Sequence, residues 1–321
     1  MSGTGTKSVD LVLEGGGVKG IALVGAVLSL AEAGYRFERI AGTSAGAVVG
    51  ALTAAYQQAG RDLGDLHPIM QSLDYRRFED GSIAQRALGR LGDGLAVVFQ
   101  DGAHSGDYLV RWLTPLLSDV GVRTFGDLRV TDDPGTGLAA HQRYRLVVNT
   151  TDLTRRALVR LPWDYAQYGK NPDIELVATA VRASMSVPFF FRPVTVTTQH
   201  GEATWVDGGL LSNFPITVFD RTDNKPERWP TWGIKLSTEP STHEFDRPVK
   251  TAAQLALACL HTVINDDANQ YAYADEGINR RTIFIDTSSS ESLDFAITRT
   301  AQTALYRAGR DAAEQFLSRQ A

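Results

Sequence analysis

The chain has 321 residues, 43% of them hydrophobic and 21% charged, with 30 glycines, a single cysteine and a formal net charge of -5. A chain of this size buries roughly three quarters of the surface that its unfolded form exposes, which excludes disorder as the main state; the lone Cys259 excludes an internal disulfide framework and a thiolate zinc site. The acidic balance excludes the basic stripe of a nucleic-acid-binding domain and leaves any approach to lipid to apolar contact rather than to charge.

Residues 1–7 are rich in Gly, Ser and Thr and lack the apolar run and cleavage site of a secretory signal, so a disordered start and a cytoplasmic location are expected. No apolar stretch reaches the length of about 18 residues that a membrane span needs, which makes the chain at most peripheral to a membrane. Ser8–Leu13 reads as a buried strand that runs into a glycine loop, and Lys19–Ala33 as a helix closed by Gly34. Phe37–Ala41 reads as a second strand and Ala45–Ala59 as a second helix, which together make an α/β unit with parallel pairing.

Further on, Leu63–Leu73 reads as helical, and Gly81–Ser105 as an irregular segment and candidate lid, whose Val97, Val98 and Phe99 could touch a membrane. Gly106–Ser118 reads as an amphipathic helix interrupted by Pro115, Arg143–Asn149 and Ala157–Leu161 as strands, and Ile174–Met185 as a helix stopped by Val187-Pro188. Arg192–Thr198, Thr204–Val206, Trp232–Leu236 and Thr282–Asp286 read as strands, Thr251–Ile264 and Ala301–Arg319 as helices. No repeat and no linker divides the chain.

Three motifs carry chemistry. Gly15-Gly16-Gly17-Val18-Lys19-Gly20 follows the first strand and opens a helix, a placement that suits backbone N–H groups facing an anion. Gly42-Thr43-Ser44-Ala45-Gly46 is a G-x-S-x-G between strand and helix, the setting of a nucleophilic serine on a sharp turn; its plain alternative is an N-cap. With Ser44 as nucleophile, Gly16 and Gly17 become candidate oxyanion donors, and Lys19 adds positive charge or is a surface lysine. A nucleotide (NAD or FAD) site would need an acid at the end of the second strand, where the serine turn stands instead. None of the six histidines sits in a recognisable signature. The third motif is Val206-Asp207-Gly208-Gly209, at a strand end and followed by Asn213-Phe214-Pro215; in isolation it reads as a turn.

Together the three motifs resemble the patatin-like phospholipase family, whose pattern is a glycine-rich anion loop, G-x-S-x-G and Asp-Gly-Ala/Gly. The segment from Ala183 to Pro193 (ASMSVPFFFRP) is similar to the family's stretch before the aspartate strand. Glu14 stands where many members have Asp, and no chemistry is assigned to it. The resemblance implies a three-layer α/β/α fold with a mainly parallel central sheet and the nucleophile after the second strand. It covers about 8–237, the expected catalytic domain, and leaves 238–321 as a mainly helical extension packed on the same domain.

It further implies a serine acyl hydrolase on lipid esters, of phospholipase A or lysophospholipase type, bacterial in character and without metal or cofactor. Ser44 is then the nucleophile and Asp207 the general base, with Gly208 and Gly209 shaping the base's turn. The oxyanion loop comprises Gly15, Gly16, Gly17, Lys19 and Gly20, and the nucleophile turn Gly42, Thr43, Ala45 and Gly46. Phe189, Phe190, Phe191 and Trp163 are candidates to line an acyl channel, with a buried strand entry as the alternative. Two readings compete, a nucleotide-binding protein that uses the GGGVKG loop and a non-catalytic lipid-binding module. Nucleic acid is not an expected partner, and no oligomeric state is read from the sequence.

Overall fold

The β-branched run near the N-terminus forms strand β1 (Lys7–Leu13), buried from Val9 onward. The computed structural model describes residues 7–78, 106–130, 138–236 and 275–320, with a few positions between 255 and 263. Of the disordered start expected over 1–7, Lys7 instead begins β1 by pairing with Tyr35; residues 1–6, the lid over 81–105 with its membrane-facing Val97, Val98 and Phe99, and most of the helix over Thr251–Ile264 lie outside the described residues.

After β1 come α1 (Gly20–Glu32), β2 (Tyr35–Thr43), α2 (Ala45–Gln58), α3 (Leu66–Ser72) and α4 (Asp107–Ser118). Then follow β3 (Leu146–Asp152), β4 (Ala157–Leu161), α5 (Val177–Ser184), β5 (Val194–Thr198) and β6 (Gly201–Asp207). The chain continues through β7 (Thr231–Lys235), α6 (Glu276–Arg280), β8 (Thr282–Phe284) and α7 (Arg299–Gln320).

One mixed sheet runs in the order β5-β6-β3-β2-β1-β7-β8, with β4 also paired to β3. The block β3-β2-β1-β7-β8 is parallel throughout. The β5, β6 and β4 side is antiparallel. Parallel strands need crossovers, and crossovers cover both faces with helices, which is why β3 and β7 are buried along their whole length and β1 from Val9 onward. The chain therefore has the mainly parallel, helix-flanked sheet expected.

Helix α1 is buried on all sides from Gly20 to Leu30. Its outer side is covered by α7, and the two backbones come so close that a Cβ on Gly309 would lie 2.0 Å from the Ala22 carbonyl oxygen. The stretch expected as a helical extension thus supplies a sheet strand, β8, as well as the helix that closes over α1.

Several element boundaries differ from the sequence reading, three of them instructively. The third strand runs Leu146–Asp152 rather than Arg143–Asn149, because it pairs with β2 from Leu146 and with β4 and β6 through Thr150, Thr151 and Asp152. Those polar residues are fully buried and lie beyond the end of the strand read from sequence. Helix α5 begins at Val177, since Pro172–Ile174 makes a separate turn and Leu176 is extended. Pro115 sits inside α4 without ending it, one turn before the helix stops at Ser118.

The sheet also holds a buried ion pair across β1 and β2. Arg39 donates through Nε to Asp10 Oδ1 at 2.9 Å and through a second nitrogen to Oδ2. Burial pushes the Asp10 carboxyl up, and the guanidinium opposes that shift.

Candidate active site

The site lies at the carboxyl ends of β1, β2, β3 and β6, where ligands of open α/β sheets gather. Ser44 follows directly on β2 and precedes α2, with φ 53° and ψ -121°, a strained conformation for a residue with a side chain. The flanking glycines explain how so tight a turn closes. A Cβ at Gly42 would lie 2.3 Å from the Gly46 carbonyl oxygen, and one at Gly46 would lie 2.3 Å from that of Leu13. Thr43 anchors the turn by donating its hydroxyl to the Ser212 carbonyl at 3.0 Å. Ala45 begins α2, whose N-terminus brings the positive end of the helix dipole to the serine.

The glycine loop wraps over this turn. A Cβ on Gly15 would lie 3.1 Å from Ser44 Cβ, so the loop and the serine are in contact. Asn213 fixes the loop from the opposite side: its carbonyl accepts the Gly15 N–H at 3.2 Å, and its Nδ2 donates to the Gly15 carbonyl at 3.2 Å. The N–H groups of Val18 and Lys19 are taken by the carbonyls of Ser292 and Gly16. Those of Gly16 and Gly17 have no protein partner among the described residues.

Lys19 is half-buried, so it is not a freely solvated lysine. Burial pulls its ammonium down from the usual lysine range, against the opposing pull of Glu14, Glu291 and Asp286. Gly20 starts α1 against Ala45.

Asp207 ends β6 and is 2% exposed. Its Oδ1 accepts the Gly209 N–H at 2.7 Å, so the Asp-Gly-Gly turn is built around the carboxylate, with Gly208 packed on the Asn149 backbone. Its Oδ2 has no hydrogen-bond partner of good geometry among the described residues. Burial pushes the carboxyl up to about 7, while the Gly209 amide and the nearby Ser44 hydroxyl hold it down in part. The Ser44 hydroxyl itself points to Met185 Sδ, 3.5 Å away.

The aromatic candidates separate. Phe189 is 40% exposed with φ 70°, and Phe190 is half-buried. Phe191 is buried edge-on against Phe78 and Phe295. Trp163 packs edge-on against Phe219, which in turn lies on the Arg39 guanidinium. The rings of Phe191 and Trp163 are thus spent on packing, which leaves Phe189 and Phe190 as the more exposed two of the four.

Among the described histidines, His67 stacks on Tyr306, and His141 and His200 sit in turns. None of the three is paired with Ser44 or Asp207. Among the described residues no cluster could hold a metal ion, and no helix is long and apolar enough to cross a membrane.

Three contributors had no role assigned from the sequence. Ser184 bonds the Ser44 backbone, Ser292 caps the glycine loop, and Glu14 forms an ion pair with Lys235 beneath it. Glu14 and the segment that holds Ser184 stood out in the sequence and Ser292 did not, but each lies far from its partner along the chain, so the contact itself left no mark there.

Comparison with known proteins places this site in context. YqhO of Bacillus subtilis (strain 168) is 35% identical over 312 residues, covering 96% of this chain and 98% of its own. A cUMP-AMP-activated phospholipase of Escherichia coli is 28% identical over 252 residues, covering 72% of this chain and 65% of that protein. The crystal structure of VipD from Legionella pneumophila shares the fold at 18% identity, with a TM-score of 0.53 over 98% of this chain and 67% of that one. The model of the patatin-like phospholipase family matches residues 11–220, from the first strand through the serine turn and the aspartate turn. The chain belongs to the patatin-like phospholipase family.

Proposed function

We propose that the protein is a serine acyl hydrolase acting on lipid carboxylic esters, of phospholipase A or lysophospholipase type, through a Ser44–Asp207 dyad and an acyl-enzyme. The observation that carries this reading is the meeting of three features at one point: a serine on a strained strand-to-helix turn, a glycine loop whose Gly16 and Gly17 N–H groups have no partner among the described residues, and a buried carboxyl whose Oδ2 has no well-aligned one among them.

In the first half-reaction Ser44 Oγ attacks the ester carbonyl, and its proton passes to Asp207 Oδ2 as the hydroxyl turns from Met185. The tetrahedral oxyanion takes the Gly16 and Gly17 N–H groups, with the α2 dipole and Lys19 adding positive potential. Collapse expels the alcohol, which leaves with the proton held by Asp207. A water molecule then gives a proton to the same carboxylate as it attacks the acyl-enzyme; the second tetrahedral intermediate collapses, Ser44 Oγ leaves with that proton returned from Asp207, and the fatty acid departs. A carboxylate with a pKa near 7 is a better base than an ordinary aspartate and is still charged in about half of the molecules at neutral pH.

The lipid class follows from the family likeness, with the exposed Phe189 and the half-buried Phe190 as the apolar side chains available to an acyl chain. The family likeness and the packing of the glycine loop speak against a nucleotide reading: Ser44 and Asn213 close over Gly15, and the Ser292 carbonyl closes over Gly17. A contact with lipid surfaces would be peripheral and apolar, given the net charge of -5.

A fluorophosphonate probe tests the nucleophile. It labels the parent chain and fails on Ser44→Ala, and Asp207→Asn loses hydrolysis of a short acyl ester while remaining folded. Mass spectrometry over a panel of phospholipids, lysophospholipids and acylglycerols then identifies the substrate. Hydrolysis that survives Asp207→Asn, or that vanishes with one histidine substitution, overturns the dyad. A chain that binds acyl lipid without labelling is a lipid-binding module.

A further inference from the structure

The exit of α5 touches both members of the dyad within three consecutive residues. Ser184 Oγ accepts the Ser44 N–H at 2.8 Å, Met185 Sδ receives the Ser44 hydroxyl, and the Ser186 carbonyl accepts the Asp207 N–H at 2.9 Å. Ser44 and Asp207 stand at the ends of β2 and β6, with β3 between them in the sheet. One turn of backbone therefore spans the strand that separates nucleophile from base.

Ser184 also ties in that middle strand. It is fully buried, and its hydroxyl donates to the Asn149 carbonyl at 2.6 Å while accepting from Ser44. A hydroxyl has one proton to give, so donation to Asn149 fixes which way the relay runs and leaves a lone pair for Ser44. The Ser44 N–H needs such a partner, because it stands before the first turn of α2 and has no intrahelical acceptor. The far side of the exit is pinned as well: Arg182 bonds the Ser186 hydroxyl and donates to the Arg192 carbonyl at 2.7 Å.

We propose that Ser184 is a positioning residue for acyl transfer: its hydroxyl holds the strained Ser44 backbone against β3, and so keeps Oγ in register with Asp207. This rests on the reading of Ser44 as nucleophile. Ser184 acts through the backbone and does not touch the substrate, so its loss lowers turnover and leaves substrate binding alone.

The test compares the parent chain with Ser184→Ala, counting active sites by fluorophosphonate titration and following folding by thermal melting. The expected result is a fall in kcat per titrated site of about 10- to 100-fold with KM within about threefold of the parent. Ser184→Cys keeps the shape with weaker hydrogen bonding and falls between the two. A folded Ser184→Ala whose kcat per site stays within about threefold of the parent overturns the proposal. If Ser184→Ala does not fold, Ser184→Cys decides: a drop of about tenfold supports the role and an unchanged kcat overturns it. A parent chain that does not label, or that labels equally after Ser44→Ala, overturns the nucleophile reading and this proposal with it. A labelled parent beside an unaffected Ser184→Ala overturns this proposal alone.

Discussion

Lys235, at the end of β7, places its ammonium on the carboxylate of Glu14, at the end of β1, where both side chains are almost wholly withdrawn from water. The second Glu14 oxygen accepts the Leu236 N–H at 2.5 Å, so the carboxylate also clamps the backbone beside the glycine loop. Removing one partner leaves a buried charge uncompensated, whereas replacing both by apolar or neutral groups does not. Lys235→Met is therefore expected to lower stability by roughly 3–5 kcal/mol, and the double variant with Glu14→Gln to recover much of it. Urea denaturation of the two variants and the parent checks this; equal losses in the single and double variants would contradict it.

The raised Asp207 carboxyl couples activity to pH in one direction and stability in the other. As the proposed base, Asp207 works when charged, so kcat/KM is expected to rise with pH to a plateau above about 7. Below pH 4 the group is protonated in folded and unfolded chains alike and costs nothing. Between pH 4 and 7 the unfolded chain releases the proton while the folded one keeps it, so this group's contribution to stability falls as pH rises and stays low above 7. Asp207→Asn keeps an acceptor for the Gly209 N–H and removes the charge. It is expected to be inactive and, at pH 8, more stable than the parent by up to about 4 kcal/mol, a gain that disappears near pH 4. Denaturation at the two pH values measures both.

The serine turn makes opposite predictions at neighbouring positions. Gly46→Ala drives a methyl into the Leu13 carbonyl oxygen at 2.3 Å and pushes α2 off β1, at an expected cost of about 1–3 kcal/mol and a slower rate of fluorophosphonate labelling. Ser44→Gly removes the side chain that makes φ 53° costly and is expected to gain about 1 kcal/mol while abolishing labelling. Thermal melts of both, beside Ser44→Ala, separate the strain at residue 44 from the loss of its hydroxyl.

The motifs were legible because their chemistry is local. Two glycines around a serine, or two after an aspartate, describe one turn each, and the strand-loop-helix rhythm of the first 60 residues shows at the same range. What stayed hidden depends on approach in space. Thr150, Thr151 and Asp152 lie beyond the strand read from sequence and are interior strand, because β4 and β6 pair with them across long stretches of sequence. The aspartate turn announces a carboxylate, but burial, which sets its affinity for a proton, has no mark in the sequence. Phe189, Phe190 and Phe191 are identical letters in a row, and only packing on Phe78 and Phe295 sets the third apart. Likewise, Gly309 reads as an ordinary helix glycine until α1 is laid against it.

Ser292 extends that point to the proposed oxyanion loop, because it lies beyond residue 220, where the family match ends. Its carbonyl accepts the Val18 N–H at 3.0 Å and would lie 1.9 Å from a Cβ on Gly17, whose φ is +55°. A side chain at Gly17 is therefore strained twice, by its backbone and by the Ser292 carbonyl, and the loop must lift to admit it. Lifting the loop withdraws the Gly16 and Gly17 N–H groups from the position proposed for the oxyanion. Gly17→Ala is expected to lower kcat for a short acyl ester by about 10²-fold, in the range seen when an oxyanion donor is lost. KM should change little, since those N–H groups act on charge that develops only in the transition state. Steady-state kinetics with a water-soluble ester provide the measurement; a change confined to KM would assign the loop to substrate binding instead.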